Sequence, residues 1–366
     1  MLLLSMKRVI KMLPHWLFGP GLFDPVCRQA MKHRLLLLLS LMFMANSSSA
    51  LNILLTNDDG WDTENIRVLK LELDAAGHDV IMSTPCTQQS GKGGALTVLK
   101  HLPVNTSRSS RGEYCLGDVD ASKSYAEYAD GTPVMSALYG IDVLAPRKWE
   151  GAPDLVISGP NTGNNLGMVN NNSGTLGAAL VAISRGIPAI AVSANTMSLI
   201  DKTQAPIIAD VTLNILAQLE ASRSPSAPLL PPLTGLNINF PKEIKSHKGI
   251  KFTQVGWESA FALGFSTDLS KEKRIMVLAA ARILDSGKVK SWDEAMKVAE
   301  SRYSGKNGLT FVTSGADDVD PLSEGNAVHE GYITISTFDG SIQAASEKSL
   351  ATQRRLSSLQ KQMKSK

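Results

Sequence analysis

The sequence predicts an α/β protein built on a mostly parallel sheet. Residues 52–56, NILLT, are a continuous apolar run, which is typical of a strand covered on both faces. Residues 64–77 then repeat apolar side chains at helical spacing and end at a glycine. Residues 79–84, DVIMST, supply the next strand. A strand, a helix and a strand of these lengths in succession favour parallel pairing.

The same alternation continues along the chain. Strands are predicted at 153–159 and 187–193, with a small-residue helix at 174–186 between them. The Pro/Ser stretch 223–232 marks a boundary or a surface loop. The later predicted elements are strands at 236–240, 250–256 and 331–337 and a polar helix at 343–365 with an apolar stripe of Leu356, Leu359 and Met363. We expect a leader at 1–50, a catalytic core at 51–222 and a C-terminal part at 223–366 that completes the fold.

The first 50 residues predict export. Residues 31–34, MKHR, are positively charged, and the eleven-residue apolar run at 35–45 is too short to span a bilayer. The small residues that follow predict signal-peptide cleavage after Ala50, so the mature protein would be periplasmic or secreted and free of the membrane. A membrane anchor or a buried helix is the alternative. Met31 is a candidate for the true start.

The net charge of the chain outside the leader bears on the kind of partner that the protein could bind. The formal net charge of +3 comes from the leader, because residues 51–366 contain 31 Lys/Arg and 33 Asp/Glu. No basic patch argues for a nucleic-acid polymer as a partner.

Outside the leader the chain contains two cysteines, Cys86 and Cys115. In an oxidising compartment they could form a disulfide, or they could be two buried thiols.

Polar residues follow several of the predicted strands at the point where each strand ends. Asp58 and Asp59 follow the first strand, Ser90 lies in the glycine-rich loop after the second, and Asn161 follows the strand at 153–159. The helix after it opens with the sequence NSGTLG. Each loop alone could be an ordinary turn. Ligands of parallel sheets bind at the carboxyl ends of the strands, so together these loops predict one shared crevice.

The chemistry of these residues suggests a metal beside an anion site. Two adjacent carboxylates repel each other unless a cation neutralises them, although one could instead cap a helix with the other in solvent. Oxygen ligands suit magnesium, manganese or calcium better than zinc. A helix that opens with Ser-Gly-Thr offers N–H groups to a phosphate. A hard metal beside such a site indicates metal-assisted hydrolysis of a phosphoester.

At the level of motifs, the chain resembles the survival protein SurE family. The resemblance rests on ILLTNDDGW, TPCTQQSGKGGALT, DGTPV, PDLVISGPNTGNNLG, NSGTLGAA, GIPAIAVS and LNINFP, which occur in the family's order. It implies a Rossmann-like core, a metal-dependent 5′-nucleotidase or acid phosphatase, and a homodimer or homotetramer assembled through C-terminal segments. The residues that it implies are Asp58, Asp59, Ser90 and Asn161 for one divalent ion, most readily Mg²⁺ or Mn²⁺ with Ca²⁺ as an alternative, and Asn165, Ser173, Gly174 and Thr175 for the phosphate.

We therefore expect hydrolysis of nucleoside 5′-monophosphates, with Asp58 and Asp59 as the catalytic pair. The alternatives are a broad-specificity acid phosphatase and a non-enzymatic nucleotide- or anion-binding protein of the cell envelope. The chain departs from the family pattern at 61–65, where a different loop could reshape the pocket for the base or ribose. Residues 257–314 match no motif of the family.

Overall fold

The computed structural model of the protein describes residues 50–120, 122–124, 127–195, 201–224, 226–257, 262–312, 318–342 and 344–357. The strands are β1 Asn52–Thr56, β2 Asp79–Pro85, β3 Val104–Arg108, β4 Glu113–Leu116, β5 Leu155–Thr162, β6 Ala189–Ala194, β7 Thr234–Asn239, β8 Ile250–Thr253, β9 Ala262–Ser266, β10 Gly308–Val312 and β11 Ile333–Asp339. The helices are α1 Glu64–Ala75, α2 Pro133–Tyr139, α3 Ala145–Trp149, α4 Gly174–Ser184, α5 Ala205–Ser222, α6 Lys273–Asp285, α7 Trp292–Tyr303, α8 Glu324–His329 and α9 Ser346–Arg355.

Nine of these strands form one sheet in the order β3-β4-β2-β1-β5-β6-β7-β11-β8. The strands from β4 to β7 in this order are parallel, whereas β3 and β11 pair antiparallel with β4 and β7. Strands β9 and β10 form a separate two-stranded antiparallel sheet. The prediction of an α/β fold with a mostly parallel sheet is therefore confirmed.

Strand β1 lies near the middle of the sheet and is covered on both faces. Ile53 and Leu55 belong to an apolar cluster on one side, and Leu54 belongs to a second cluster on the other. This division follows from the two-residue period of a strand. It explains why the β1 sequence reads as continuously apolar, and it holds the end of β1 in a rigid setting.

The element boundaries differ from the prediction in a few places. The prediction ended β5 at Gly159, but the strand continues through Pro160 and Asn161 to Thr162. The Gly159–Pro160 peptide bond is cis, and the pairing with β6 shifts register between Ser158 and Asn161. Such a bulge lets a strand pass a proline and re-aims the side chains beyond it.

The sheet runs across the boundary that the sequence suggested after residue 222, because β7, β8 and β11 extend the strands of the core. At the C-terminal end the helix begins later than predicted, at Ser346, and continues to Arg355. Of its predicted apolar stripe, Leu359 and Met363 lie outside the described residues. Residues 1–49 of the predicted leader also lie outside them.

Cys86 and Cys115 form a disulfide, which decides between the two alternatives for this pair. The bridge joins the end of β2 to its neighbour β4 and encloses the glycine-rich loop at 88–97 within its covalent ring. A crosslink across 29 positions removes conformational freedom from the unfolded chain. Within the part of the chain that the structure describes, no helix is both long and apolar enough to cross a membrane.

Candidate active site

A tight turn at the end of β1 presents the two adjacent aspartates. The buried Asn57 closes this turn, since its amide nitrogen donates to the carbonyl of Gly60 at 2.8 Å and its amide oxygen accepts from Gly60 N at 3.1 Å. Gly60 has a φ of +98°, a conformation that glycine adopts without strain. The turn therefore fixes Asp58 and Asp59 between Asn57 and Gly60.

Asp58 is nearly inaccessible, with 3% of its surface exposed. Its Oδ1 accepts a hydrogen bond from the hydroxyl of Thr175 at 2.9 Å, and its backbone carbonyl accepts from Gln89 N at 2.7 Å. Asp58 therefore connects the start of helix α4 to the glycine-rich loop. Gly174 packs directly against it, because a Cβ at position 174 would lie 2.7 Å from Asp58 Cβ.

Asp59 is partly exposed and points toward the end of β5, where its Oδ2 accepts from the backbone N–H of Thr162 at 2.8 Å. The neighbouring Asn161 is buried, and its amide nitrogen donates to the carbonyl of Gly163 at 2.7 Å. Its amide oxygen is buried without a hydrogen-bond partner. A buried acceptor without a donor costs free energy, and a cation or water bound at this polar site would offset that cost.

Both carboxyl groups resist ionisation in this setting. Burial, followed by the charge of Asp59, raises the pKa of Asp58 to about 7, against the opposing hydrogen bond from Thr175 and the charge of Arg282. Burial also raises the pKa of Asp59, although the N–H of Thr162 partly offsets it. A bound cation would favour the ionised form of both groups.

Helix α4 begins beside this pair. The hydroxyl of Ser173 caps the helix by accepting from Leu176 N at 3.1 Å. Ser173, Gly174 and Thr175 are all buried, and Thr175 holds Asp58 as described above. Close to this end, Gly177 packs on the glycine-rich loop, because a Cβ there would lie 2.3 Å from the carbonyl oxygen of Gly93. The helix start and that loop thus form adjoining walls of one crevice.

Asn165 hydrogen-bonds to several other residues of the protein, which a residue that only contacts phosphate would not do. Its buried amide nitrogen donates to the hydroxyls of Ser193 at 2.8 Å and Thr175 at 3.2 Å. Its backbone carbonyl accepts from Asn237 and Asn239 at 3.0 and 2.9 Å. A chain of hydrogen bonds therefore runs from the β7 end through Asn165 and Thr175 to Asp58. The phosphate-binding role of Asn165 stays a prediction.

Ser90 lies at the exposed side of the crevice, where its hydroxyl contacts the amide of Gln88. A guanidinium can only donate, so we orient this amide with its oxygen toward Arg282. In that orientation the oxygen accepts from Arg282 Nη2 at 2.8 Å and from Ser90 N at 3.2 Å. Arg282 belongs to α6, in a segment where the sequence offered no motif.

Glu324 is a second residue that sequence reasoning missed. It is completely buried, and four donors surround its carboxylate: Gly167 N at 3.1 Å, Asn170 Nδ2 and Asn237 Nδ2 at 3.0 Å, and Ser336 Oγ at 2.8 Å. Burial nevertheless raises its pKa to about 7. It ties the segment before α4 to β7 and β11, so it supports the crevice from behind.

The predicted oxygen ligands fit a hard divalent cation. Among the described residues no group of three or more His, Cys, Asp or Glu could hold a metal. The set Asp58, Asp59, Ser90 and Asn161 instead combines two carboxylates, a hydroxyl and an amide oxygen. The partnerless buried oxygen of Asn161 and the repulsion between the two aspartates are the features that a cation would relieve.

The parallel sheet, the acidic pair at the end of its β1 strand and the helix start beside that pair define an α/β protein with two carboxylates next to a helix N-terminus. The family described as Survival protein SurE matches residues 53–261. This match covers more than half of the chain, and the protein belongs to that family.

Named relatives are similar over the same region. An acid phosphatase of Yarrowia lipolytica is 34% identical over 212 residues, which is 54% of this chain and 58% of the relative. A 5′-nucleotidase SurE of Lawsonia intracellularis is also 34% identical over 212 residues, 57% of this chain and 74% of the relative. The crystal structure of a SurE protein from Aquifex aeolicus superposes with a TM-score of 0.57 over 83% of this chain and 99% of that one. At 23% identity, this last likeness concerns the fold alone.

Proposed function

We propose that this protein is a metal-dependent phosphomonoesterase that hydrolyses nucleoside 5′-monophosphates to nucleoside and phosphate. The observation that carries the proposal is the juxtaposition of Asp58 and Asp59 with the buried, partnerless oxygen of Asn161 and the start of helix α4. The similarity to proteins named 5′-nucleotidase and acid phosphatase supports the same class of reaction.

The residues divide into a cation-binding set and a phosphate-binding set. Asp58, Asp59, Ser90 and Asn161 would hold one divalent cation, Mg²⁺ or Mn²⁺ for preference and Ca²⁺ as the alternative. When bound, the cation supplies positive charge to the phosphoryl group and lowers the pKa of an attacking water.

The chain's own groups do the rest. The N–H groups of Gly174 and Thr175, at the positive end of the α4 dipole, would hold the equatorial phosphoryl oxygens, whereas the N–H of Ser173 donates to the carbonyl of Asn170 at 3.2 Å. Thr175 and the Thr162 N–H fix one oxygen of each aspartate, so the remaining carboxylate oxygens are held in defined positions. Asp58 would orient the attacking water or accept its proton.

A broad-specificity acid phosphatase is the second candidate, because one of the similar proteins bears that name. The loop at 61–65 would decide between the two, since it differs from the family pattern. There Trp61 is buried against the guanidinium of Arg108, 4.1 Å from the ring centroid. A non-enzymatic anion-binding protein would need the start of α4 but not the oxygen set around Asp58, so it explains less of the site.

Purified residues 51–366 assayed against a panel of nucleoside 5′-monophosphates and simple phosphomonoesters, with EDTA and then with added Mg²⁺, Mn²⁺ or Ca²⁺, tests the proposal. We expect hydrolysis that EDTA abolishes and a divalent cation restores, with nucleotides preferred over p-nitrophenyl phosphate. No hydrolysis of any phosphomonoester with any cation would contradict it. Equal turnover of all esters would favour the acid phosphatase.

We further propose that the protein acts outside the cytoplasm, in the periplasm or secreted, as a homodimer or homotetramer. The signal-peptide pattern before Ala50 supports export. The disulfide between Cys86 and Cys115 fits an oxidising compartment. Sequencing the N-terminus of protein expressed from Met31 tests this: we expect Leu51 as its first residue, and soluble cytoplasmic protein that retains residues 31–50 would contradict export.

A further inference from the structure

Helix α6 brings a positive charge to the crevice from outside the region that matches the SurE family, which ends at residue 261. Its buried residues Met276, Ala280 and Ile283 pack with α7 in a small apolar cluster of their own. Its C-terminal end is tied to the turn before α5 by an ion pair of 3.0 Å between Asp285 and Lys202. The helix therefore has a defined position beside the core.

Arg282 lies on this helix between two buried positions, but its own side chain is exposed. Its Nη2 is 2.8 Å from the Gln88 amide oxygen, two residues before Ser90. The guanidinium is thus anchored at the glycine-rich loop that carries Ser90, through a contact with a neutral amide.

The guanidinium of Arg282 is better placed to bind an anionic ligand than to form a permanent ion pair with a carboxylate of the protein. A guanidinium has five N–H donors in a planar fork, and the contact with Gln88 uses only part of this capacity. The remaining donors would match a phosphoryl group, whose oxygens arginine binds in bidentate fashion.

We propose that Arg282 is a phosphate-binding residue that contacts a non-bridging oxygen of the substrate from beside the glycine-rich loop. This inference rests on the proposed phosphomonoesterase function and names a contact from a segment without a family motif. Gln88 is its positioning partner, because it holds the guanidinium beside Ser90.

Titration with inorganic phosphate by calorimetry, in the presence of Mg²⁺, tests the inference on residues 51–366. Loss of a charge-assisted hydrogen bond should weaken phosphate binding about tenfold or more in Arg282→Gln. Arg282→Lys should lie between this variant and the wild type, because lysine keeps the charge but loses the fork. Arg302→Gln, which removes an exposed arginine of the paired helix α7, is the matched control and should bind phosphate as the wild type does.

Measuring Mg²⁺ binding in the absence of phosphate distinguishes a phosphate contact of Arg282 from a structural role of that residue. Arg282→Gln should bind Mg²⁺ at least as tightly as the wild type, because a nearby positive charge has been removed. Unchanged phosphate affinity in Arg282→Gln, or an equal loss in Arg302→Gln, would overturn the inference. If Arg282→Gln does not fold, the phosphate affinity of Arg282→Lys decides. A wild-type protein that binds phosphate without hydrolysing any ester would refute the proposed function but leave the Arg282 test intact.

Discussion

At the scale of single residues, adjacency and burial explain the behaviour of the acidic pair. Asp58 is buried and held by Thr175, whereas Asp59 is partly exposed and held by a backbone N–H. Two carboxyl groups in neighbouring but unequal settings can take different roles toward one cation. Asp59 is the residue to vary first, because its side chain is partly exposed and its replacement leaves the buried contact between Asp58 and Thr175 in place.

We expect Asp59→Asn to lower kcat/KM about 100-fold or more while the protein stays folded. Mutation of a residue that only hydrogen-bonds to a metal ligand typically lowers metal affinity or activity 10–100-fold. The loss of a carboxylate that binds the metal directly should lower activity at least as much. The asparagine oxygen can still accept from Thr162, which preserves the local fold. Steady-state kinetics with saturating Mg²⁺ and thermal melting measure the two effects.

Asp142→Asn is the control for this variant, because Asp142 is exposed, pairs with Arg185 at 3.3 Å and belongs to none of the loops of the crevice. It should retain activity close to that of the wild type. Full activity of Asp59→Asn, or activity that chelators do not affect, would show that the pair does not hold a metal.

The raised pKa of Asp58 predicts how the stability of the metal-free protein depends on pH. The folded-state pKa of about 7 exceeds the ordinary value of 3.8, so the folded protein binds more protons than the unfolded chain between these values. The free energy of unfolding should therefore fall as pH rises from about 4 to about 7, by roughly 2–4 kcal/mol from this group. Glu324, whose pKa is also raised to about 7, adds to the same trend.

Urea unfolding in EDTA at several pH values measures this slope. Asp58→Asn should reduce it, because the amide does not titrate, and saturating Mg²⁺ should reduce or reverse it by favouring the ionised carboxylates. A free energy of unfolding that rises with pH in EDTA would contradict the assignment.

Much of the site could be predicted from the sequence at this scale, for a definite reason. Asp58, Asp59, Ser173 and Thr175 lie next to strand or helix ends that local patterns reveal, and parallel strands bring such ends together. Arg282 and Glu324 could not be found this way. Their partners, Gln88 and Asn237, are far away in sequence, and neither residue belongs to a motif that the sequence displays.

At the scale of elements, close packing between helix α4 and the glycine-rich loop shapes the crevice. Gly177 on the helix leaves no room for a side chain against the carbonyl of Gly93. The prediction that β5 ends at Gly159 was wrong. A Gly-Pro pair normally ends a strand, but β5 continues through this one to Thr162. Here the register shift before Asn161 lets the strand continue to Thr162, whose N–H donates to Asp59.

We expect Gly177→Ala to destabilise the protein although alanine favours helices by about 1 kcal/mol over glycine. The added methyl would lie 2.3 Å from a backbone oxygen, so the loop that carries Ser90 must move. Overpacking of this kind typically costs about 1–3 kcal/mol, and the displaced Ser90 should also weaken Mg²⁺ binding. Denaturant unfolding and calorimetry measure the two effects.

Gly94→Ala is the matched control in the same loop, because nothing lies within 4 Å of a Cβ at that position. It should change the free energy of unfolding by no more than about 0.5 kcal/mol. A Gly177→Ala variant as stable and as tightly metal-binding as Gly94→Ala would show that this close approach does not shape the site.

At the scale of the whole molecule, exposed apolar side chains gather at the end of the sheet and on the small hairpin. On the edge strand β8, Phe252 is 83% exposed, and on the β9–β10 hairpin Phe265 and Leu309 are 71% and 62% exposed. Apolar edges of this kind are usually covered by another chain. They support the proposed homo-oligomer.

The C-terminal helix α9 gives the last prediction. None of its residues is buried, Leu350 and the adjoining Leu356 are both more than half exposed, and the ring of Trp257 lies 4.8 Å from Lys348 Nζ. A ten-residue helix that buries so little is marginal in water by itself. We therefore expect it to dock on a second subunit through its apolar stripe. Removing 343–366 should lower the oligomeric mass while the truncated protein still binds Mg²⁺.

Light scattering measures that mass, and point variants show whether the stripe is responsible. Leu356→Gln should weaken assembly, because it places a polar group on the apolar face, whereas Ser357→Gln, one position further round the helix, should not. A loss of mass in both would indicate a general effect on the helix rather than the stripe. An unchanged mass after removal of 343–366 would mean that the tail takes no part in assembly, and the exposed edge at β8 would then be the surface to vary.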